Sequence, residues 1–152
     1  MKALVQIISA LLGSAGFALV FNTKKSSIIY GAVGGMLGWS VFLLAQMFFE
    51  RTFFICLCAA FFIALYSEIC AHILKAPSTV FFIPSVVPLI PGSTLYYTIE
   101  YLVKSDWKTA GSYAFTTAEY ASAIAIGGSF VWALQIIIKR IIKKIRSKNV
   151  TV

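Results

Sequence analysis

The chain has 152 residues, 60% of them hydrophobic and 12% charged, with a mean hydropathy of +0.90. So few polar side chains cannot clothe so much apolar surface in water, which excludes a soluble globular domain and leaves an all-α integral membrane protein of one domain. The net charge of +8 does not point to nucleic acid, because six of the thirteen basic residues sit in the last fourteen positions with no aromatic platform beside them.

Five apolar segments follow one another. The first, 3–21, is long enough to cross a bilayer. Its length and the basic residues after it mark a retained span rather than a signal peptide. The second, 28–49, closes at Glu50-Arg51, and the third, 53–74, closes at Lys75-Ala76-Pro77. The fourth, 79–103, is interrupted at Pro84, Pro88 and Pro91-Gly92, and the fifth is 110–138, followed by a basic tail at 139–152. Counted as five crossings, nine basic residues fall on the tail side and four on the other, against eight and five if the fourth segment is re-entrant. The positive-inside rule therefore favours five crossings with the C-terminus cytoplasmic. A re-entrant pair of half-helices stays open, because Pro91-Gly92 suits a sharp reversal.

The interrupted segment carries the clearest functional signal. Each proline lacks an N–H, which leaves the carbonyls of Val80, Pro84 and Val87 without their helical donors. Broken backbone at bilayer depth persists where it is buried in protein or lines a polar cavity, as in transporter binding sites. Beyond the break, Ser93 or Thr94 is a competent N-cap, and Gly92 tolerates a left-handed conformation. The start of that half-helix offers partial positive charge and free N–H groups to a carboxylate, with Tyr96 and Tyr97 beside it. The substrate-binding expectation is therefore Pro91, Gly92, Ser93, Thr94 and Tyr97. The alternative is a structural kink satisfied by neighbouring helices.

Small residues predict close helix packing. Gly31/Gly35 and Gly34/Gly38 form two overlapping GxxxG motifs in the second span. The last span carries two ridges at four-residue spacing: Ala110, Ala114, Ala118, Ser122 and Ala121, Ala125, Ser129, Ala133. These suit either packing inside one bundle or contact with a partner.

Ionisable residues inside the spans are candidates for proton or ion coupling. Glu68 and His72 are four apart and share a helix face, and His titrates near neutrality. Glu119 lies deep in the last span. Against these readings stand a hydrated interfacial pair and a structural hydrogen bond, respectively. The tail, KRIIKKIRSK, suits anchoring to anionic lipids. Cys56, Cys58 and Cys70 lack flanking ligands at metal spacing and read as buried free thiols. With no phosphate-binding loop, nucleophile–base pair or metal cluster, the sequence gives no sign of an enzyme, a cofactor or a metal site.

The stretch Gly16-Phe17-Ala18-Leu19-Val20-Phe21-Asn22, the glycine-rich start of the second span, and PSVVPLIPGSTLYYT from Pro84 to Thr98 together resemble the threonine/serine exporter family, in its small-subunit form. The resemblance covers most of the chain, and PLIPG is its most specific part. The motif carries over to Pro84, Pro88, Pro91, Gly92 and Ser93. It implies a subunit of a bacterial inner-membrane secondary exporter for small carboxylate-bearing solutes, threonine and serine in some members and succinate in others. It also implies a larger membrane partner, since the chain matches only the C-terminal of the family's two membrane halves. No coupling role transfers to Glu68, His72 or Glu119. The rival reading is a non-transporting structural or regulatory subunit. A neighbouring reading frame with a matching broken helix would point to a split exporter; its absence would favour a homo-oligomer.

Overall fold

A computed structural model describes residues 2–148, with side chains through Ile141 except that of Lys139. The described residues form six helices joined by short turns: α1 (Lys2–Val20), α2 (Lys25–Ala45), α3 (Thr52–Leu74), α4 (Thr79–Val86), α5 (Gly92–Val103) and α6 (Trp107–Lys148), with a 3-10 turn at Val87–Leu89. At 1.5 Å per residue, α1 to α3 are about 28–34 Å long, close to the thickness of a bilayer's hydrocarbon core. Four helices are long and apolar enough to cross a membrane, and α4 with α5 makes a fifth, bent by 53°. The second predicted segment is shifted: its helix begins at Lys25 and ends at Ala45. The N–H groups of Met47 and Phe48 reach back three residues to Leu44 and Ala45, which tightens the chain into turns.

Three helices end on non-glycine residues in the left-handed region: Asn22 (φ 53°), Lys75 (φ 50°) and Ser105 (φ 60°). Each sits in a Schellman turn, closed by Thr23 N–H to the Ala18 carbonyl, Ala76 N–H to Ala71 and Asp106 N–H to Tyr101. The last carbonyls of α1, α3 and α5 thereby gain donors at the point where water or lipid would otherwise have to serve them. Asp106 then opens α6, its Oδ1 accepting the Thr109 N–H at 3.2 Å.

Helix α2 is the hub. A Cβ on Gly31 would lie 3.1 Å from Pro84, one on Gly34 2.1 Å from Ser85 Oγ, one on Gly35 1.9 Å from Ser14 Oγ, and one on Gly38 2.4 Å from Ile63. The four glycines thus admit three neighbours, α4, α1 and α3. In hydrocarbon, where apolar burial drives helices together little, this close backbone approach is a main source of cohesion. Polar bonds add to it: Tyr66 donates to the Tyr30 carbonyl at 2.9 Å. Ser85 Oγ lies 3.1 Å from the Gly31 carbonyl and 2.7 Å from that of Phe81.

Helices α3 and α6 run parallel. Cys56 lies near the Tyr120 carbonyl, Ala60 against Gly127, Phe61 against Phe130, and Glu68 against Gln135, all in the same order along both helices. The α4–α5 segment must therefore carry the chain from one end of the bundle to the other, and it does not double back. On α6 the residues turned to the core include Ala123, Gly127, Gly128 and Val131. Ala110 is buried, whereas Ala114, Ala118 and Ser122, and the whole ridge Ala121, Ala125, Ser129 and Ala133, are exposed. Among the described residues, nothing fills either small-residue ridge beyond Ala110.

Candidate functional site

The break in the fourth pass is a short, hydrogen-bonded bend. The Val87 carbonyl, which Pro91 cannot serve, accepts the Ile90 N–H at 3.1 Å. Pro91 itself (φ −78°, ψ 58°) lies in an inverse γ-turn closed by Gly92 N–H to the Ile90 carbonyl at 2.8 Å. Two expectations change here. Gly92 does not adopt positive φ, because a bend of 53° asks for no reversal. Neither Ser93 nor Thr94 is the N-cap: Pro91 holds that place with no side-chain cap, and Thr94 Oγ1 instead donates to the Pro91 carbonyl at 3.1 Å. A Cβ built on Gly92 meets nothing within 4 Å, so this glycine is required by neither backbone nor packing within the chain.

Helix α5 has no buried residue and packs mainly on α6. Thr117 Oγ1 lies 2.8 Å from Thr94 Oγ1 and also donates to the Tyr113 carbonyl. Tyr97 tilts against Tyr113, centroids 5.2 Å apart, and Tyr101 stacks on Tyr113 at 5.7 Å and 5°. Because Cys56, in the first turns of α3, is level with Tyr120, the start of α5 beside Thr117 lies at the end of the bundle where α3 begins. It is not at the bundle's middle.

The other candidates are dispersed. Glu119 is half-buried and two residues past Thr117, hence on a different face of α6. Glu68 accepts a hydrogen bond from Gln135 Nε2, and its other oxygen, Oε1, is buried with no partner among the described residues. With Gln135 eighteen positions beyond Thr117, this pair lies about 27 Å along α6 from the start of α5. Glu68, His72 and Gln135 line both an apolar groove of about 540 Å³ and a polar pocket of about 280 Å³ that reaches Ser78 and Thr79. Gln135 was missed in the sequence. A lone amide one turn before the basic tail gave little sign that it would meet an intramembrane acid.

A further cavity, of about 460 Å³, opens at the same end of the bundle as Glu68, between the α1–α2 turn and α4. Its wall joins Phe21 and Asn22 to Pro84, so two of the sequence stretches quoted above meet there. Among the described residues no group of three or more potential metal ligands comes together. The basic tail's side chains from Ile142 onward, and that of Lys139, lie outside the described residues, and with them much of the expected lipid contact.

The family description "Threonine/Serine exporter, ThrE" matches residues 6–134, which takes in α1 through most of α6 and the whole of the broken pass. The chain belongs to the threonine/serine exporter family. Within that family the chain is a membrane-embedded exporter component, and its broken fourth pass lies inside the matched region. No curated protein and no solved structure gives a match.

Proposed function

We propose that this chain is one subunit of a secondary exporter for small carboxylate-bearing solutes and works with a larger membrane partner. The observation that carries the reading is the uncapped, exposed start of α5 directly after the bend at Pro91. There the first-turn N–H groups of Ser93 and Thr94 have no side-chain acceptor among the described residues. Such a helix end attracts a carboxylate, and Gly92 leaves open space for its approach. Threonine and serine are the first solutes to test; a dicarboxylate such as succinate presents the same group.

The bare small-residue ridges of α6 support a second membrane protein packed along that helix, since such surfaces suit helix–helix contact better than lipid tails. Ion-gradient coupling fits a chain with no nucleotide-binding motif, with Glu68, His72 and Glu119 as the groups to examine. The decisive experiment compares Gly92→Leu and Ser93→Ala for complex assembly and for efflux of threonine, serine and succinate. The reading expects intact assembly with efflux reduced at least severalfold in Gly92→Leu, whose side chain fills the space before the α5 N–H groups; unchanged efflux from both variants would reject the α5 site.

A further inference from the structure

The cavity between the α1–α2 turn and α4 is a site of a different kind from the α5 start. Its rim is rigid, because Schellman turns close the chain at Thr23 on one side and at Ala76 on the other. Into it come one cation, Lys24, the amide of Asn22, and the hydroxyls of Ser27 and Thr79, of which Ser27 is buried. No acidic residue lines it. Its inner wall includes Pro84 and Val80, and Val80 is the residue whose carbonyl Pro84 cannot serve. The cavity therefore brings the charge of an exposed lysine, Lys24, together with hydroxyl donors and with Val80, a wall residue whose carbonyl lacks its usual helical donor. Its volume of about 460 Å³ exceeds what a solute of a few carbon atoms occupies and leaves room for water.

We propose that this cavity is a vestibule that binds the exported solute before it reaches the break. The solute's carboxylate pairs with Lys24 and the hydroxyls of Ser27 and Thr79, and the ammonium of an amino acid is held at the Val80 carbonyl. The inference rests on the export reading but not on the α5 site. The same anionic chemistry is carried by a phospholipid headgroup, so the test must separate the two sources.

The full chain with its membrane partner is reconstituted in phosphatidylethanolamine vesicles with and without phosphatidylglycerol. Half-saturating concentrations are then measured for transport of L-threonine and of succinate. Lys24→Met is expected to raise both by roughly tenfold, the scale of one charge-assisted hydrogen bond. Lys25→Met removes the same charge from the next residue, the first of α2, but lies outside the cavity, and is expected to leave both values unchanged. Pro84→Ala returns an N–H to the Val80 carbonyl and is expected to weaken threonine more than succinate. Equal values for Lys24→Met and Lys25→Met overturn the vestibule while the export reading stands. A Lys24 effect confined to vesicles with phosphatidylglycerol assigns the cavity to a headgroup and overturns the solute assignment. Transport of neither solute by the wild-type complex overturns the export reading, and the vestibule with it.

Discussion

Thr94 and Thr117 meet hydroxyl to hydroxyl at 2.8 Å, and this contact ties the first turn of α5 to α6. Each hydroxyl also donates to, or lies within reach of, a carbonyl on its own helix, so the pair is a small network rather than a single bond. Thr117→Val keeps the shape and removes the link. It should cost about 0.6–1 kcal/mol of stability in detergent. A double-mutant cycle with Thr94→Val checks this, and additive losses would show that the two residues do not communicate.

Gly34→Ala and Gly38→Ala should each destabilise the bundle by about 1–3 kcal/mol, because the new methyl enters occupied space against Ser85 and Ile63. Gly92→Ala meets nothing and should change stability by less than about 0.5 kcal/mol. The three variants, compared by thermal denaturation in one detergent, give a ranking that ordinary helix propensity does not, since alanine would be favoured at all three positions.

The parallel order of α3 and α6 has a topological consequence that cysteine labelling can read. In a background with Cys56, Cys58 and Cys70 replaced by alanine, Asn22→Cys and Lys75→Cys should react with an impermeant reagent from one face of the membrane. Glu50→Cys and Asp106→Cys should react from the other. Labelling of Asp106→Cys from the Asn22 side would mean a re-entrant fourth segment.

Glu68→Gln retains a hydrogen-bonding partner for Gln135 but removes the ionisable group. If Glu68 couples export to protons, efflux by this variant should lose its dependence on external pH while the complex stays assembled. Gln135→Leu deprives the acid of its amide on α6 and should lower stability by about 1–3 kcal/mol. Efflux from Glu68→Gln with an unaltered pH profile would return the pair to a purely structural role.

Much of the fold was legible because hydrocarbon demands long apolar runs, and these pointed to an all-helical bundle of about five passes. The α2 glycines stood out by their spacing, which pairs Gly31 with Gly35 and Gly34 with Gly38, but their partners did not, because the nearest contacts within each pair are with different helices. The break was legible as a break, since proline has no N–H, but its shape was not. A Pro-Gly pair fits either a reversal or a modest bend, and only the long-range docking of α6 on α3 decides between them. The same docking moves the start of α5 to the end of the bundle and parts it from Glu68, a separation that no local pattern encodes. The cavity beside Lys24 went unseen because its wall draws ordinary residues from the α1–α2 turn, α2, the α3–α4 turn and α4. A polar stretch of Asn22, Thr23 and Lys24 between two spans reads as a surface turn until Thr79 and Pro84 are brought against it.

The pairing of Glu68 with Gln135 spans 67 positions of chain. During synthesis α3 therefore enters the membrane well before the helix that covers its acid, and the broken pass must be threaded in between. Until α6 arrives, Glu68 faces lipid or borrows a substitute amide or hydroxyl from elsewhere. The order of assembly is thus built into the chain, and truncation within α6 would strand a membrane acid rather than merely shorten a tail.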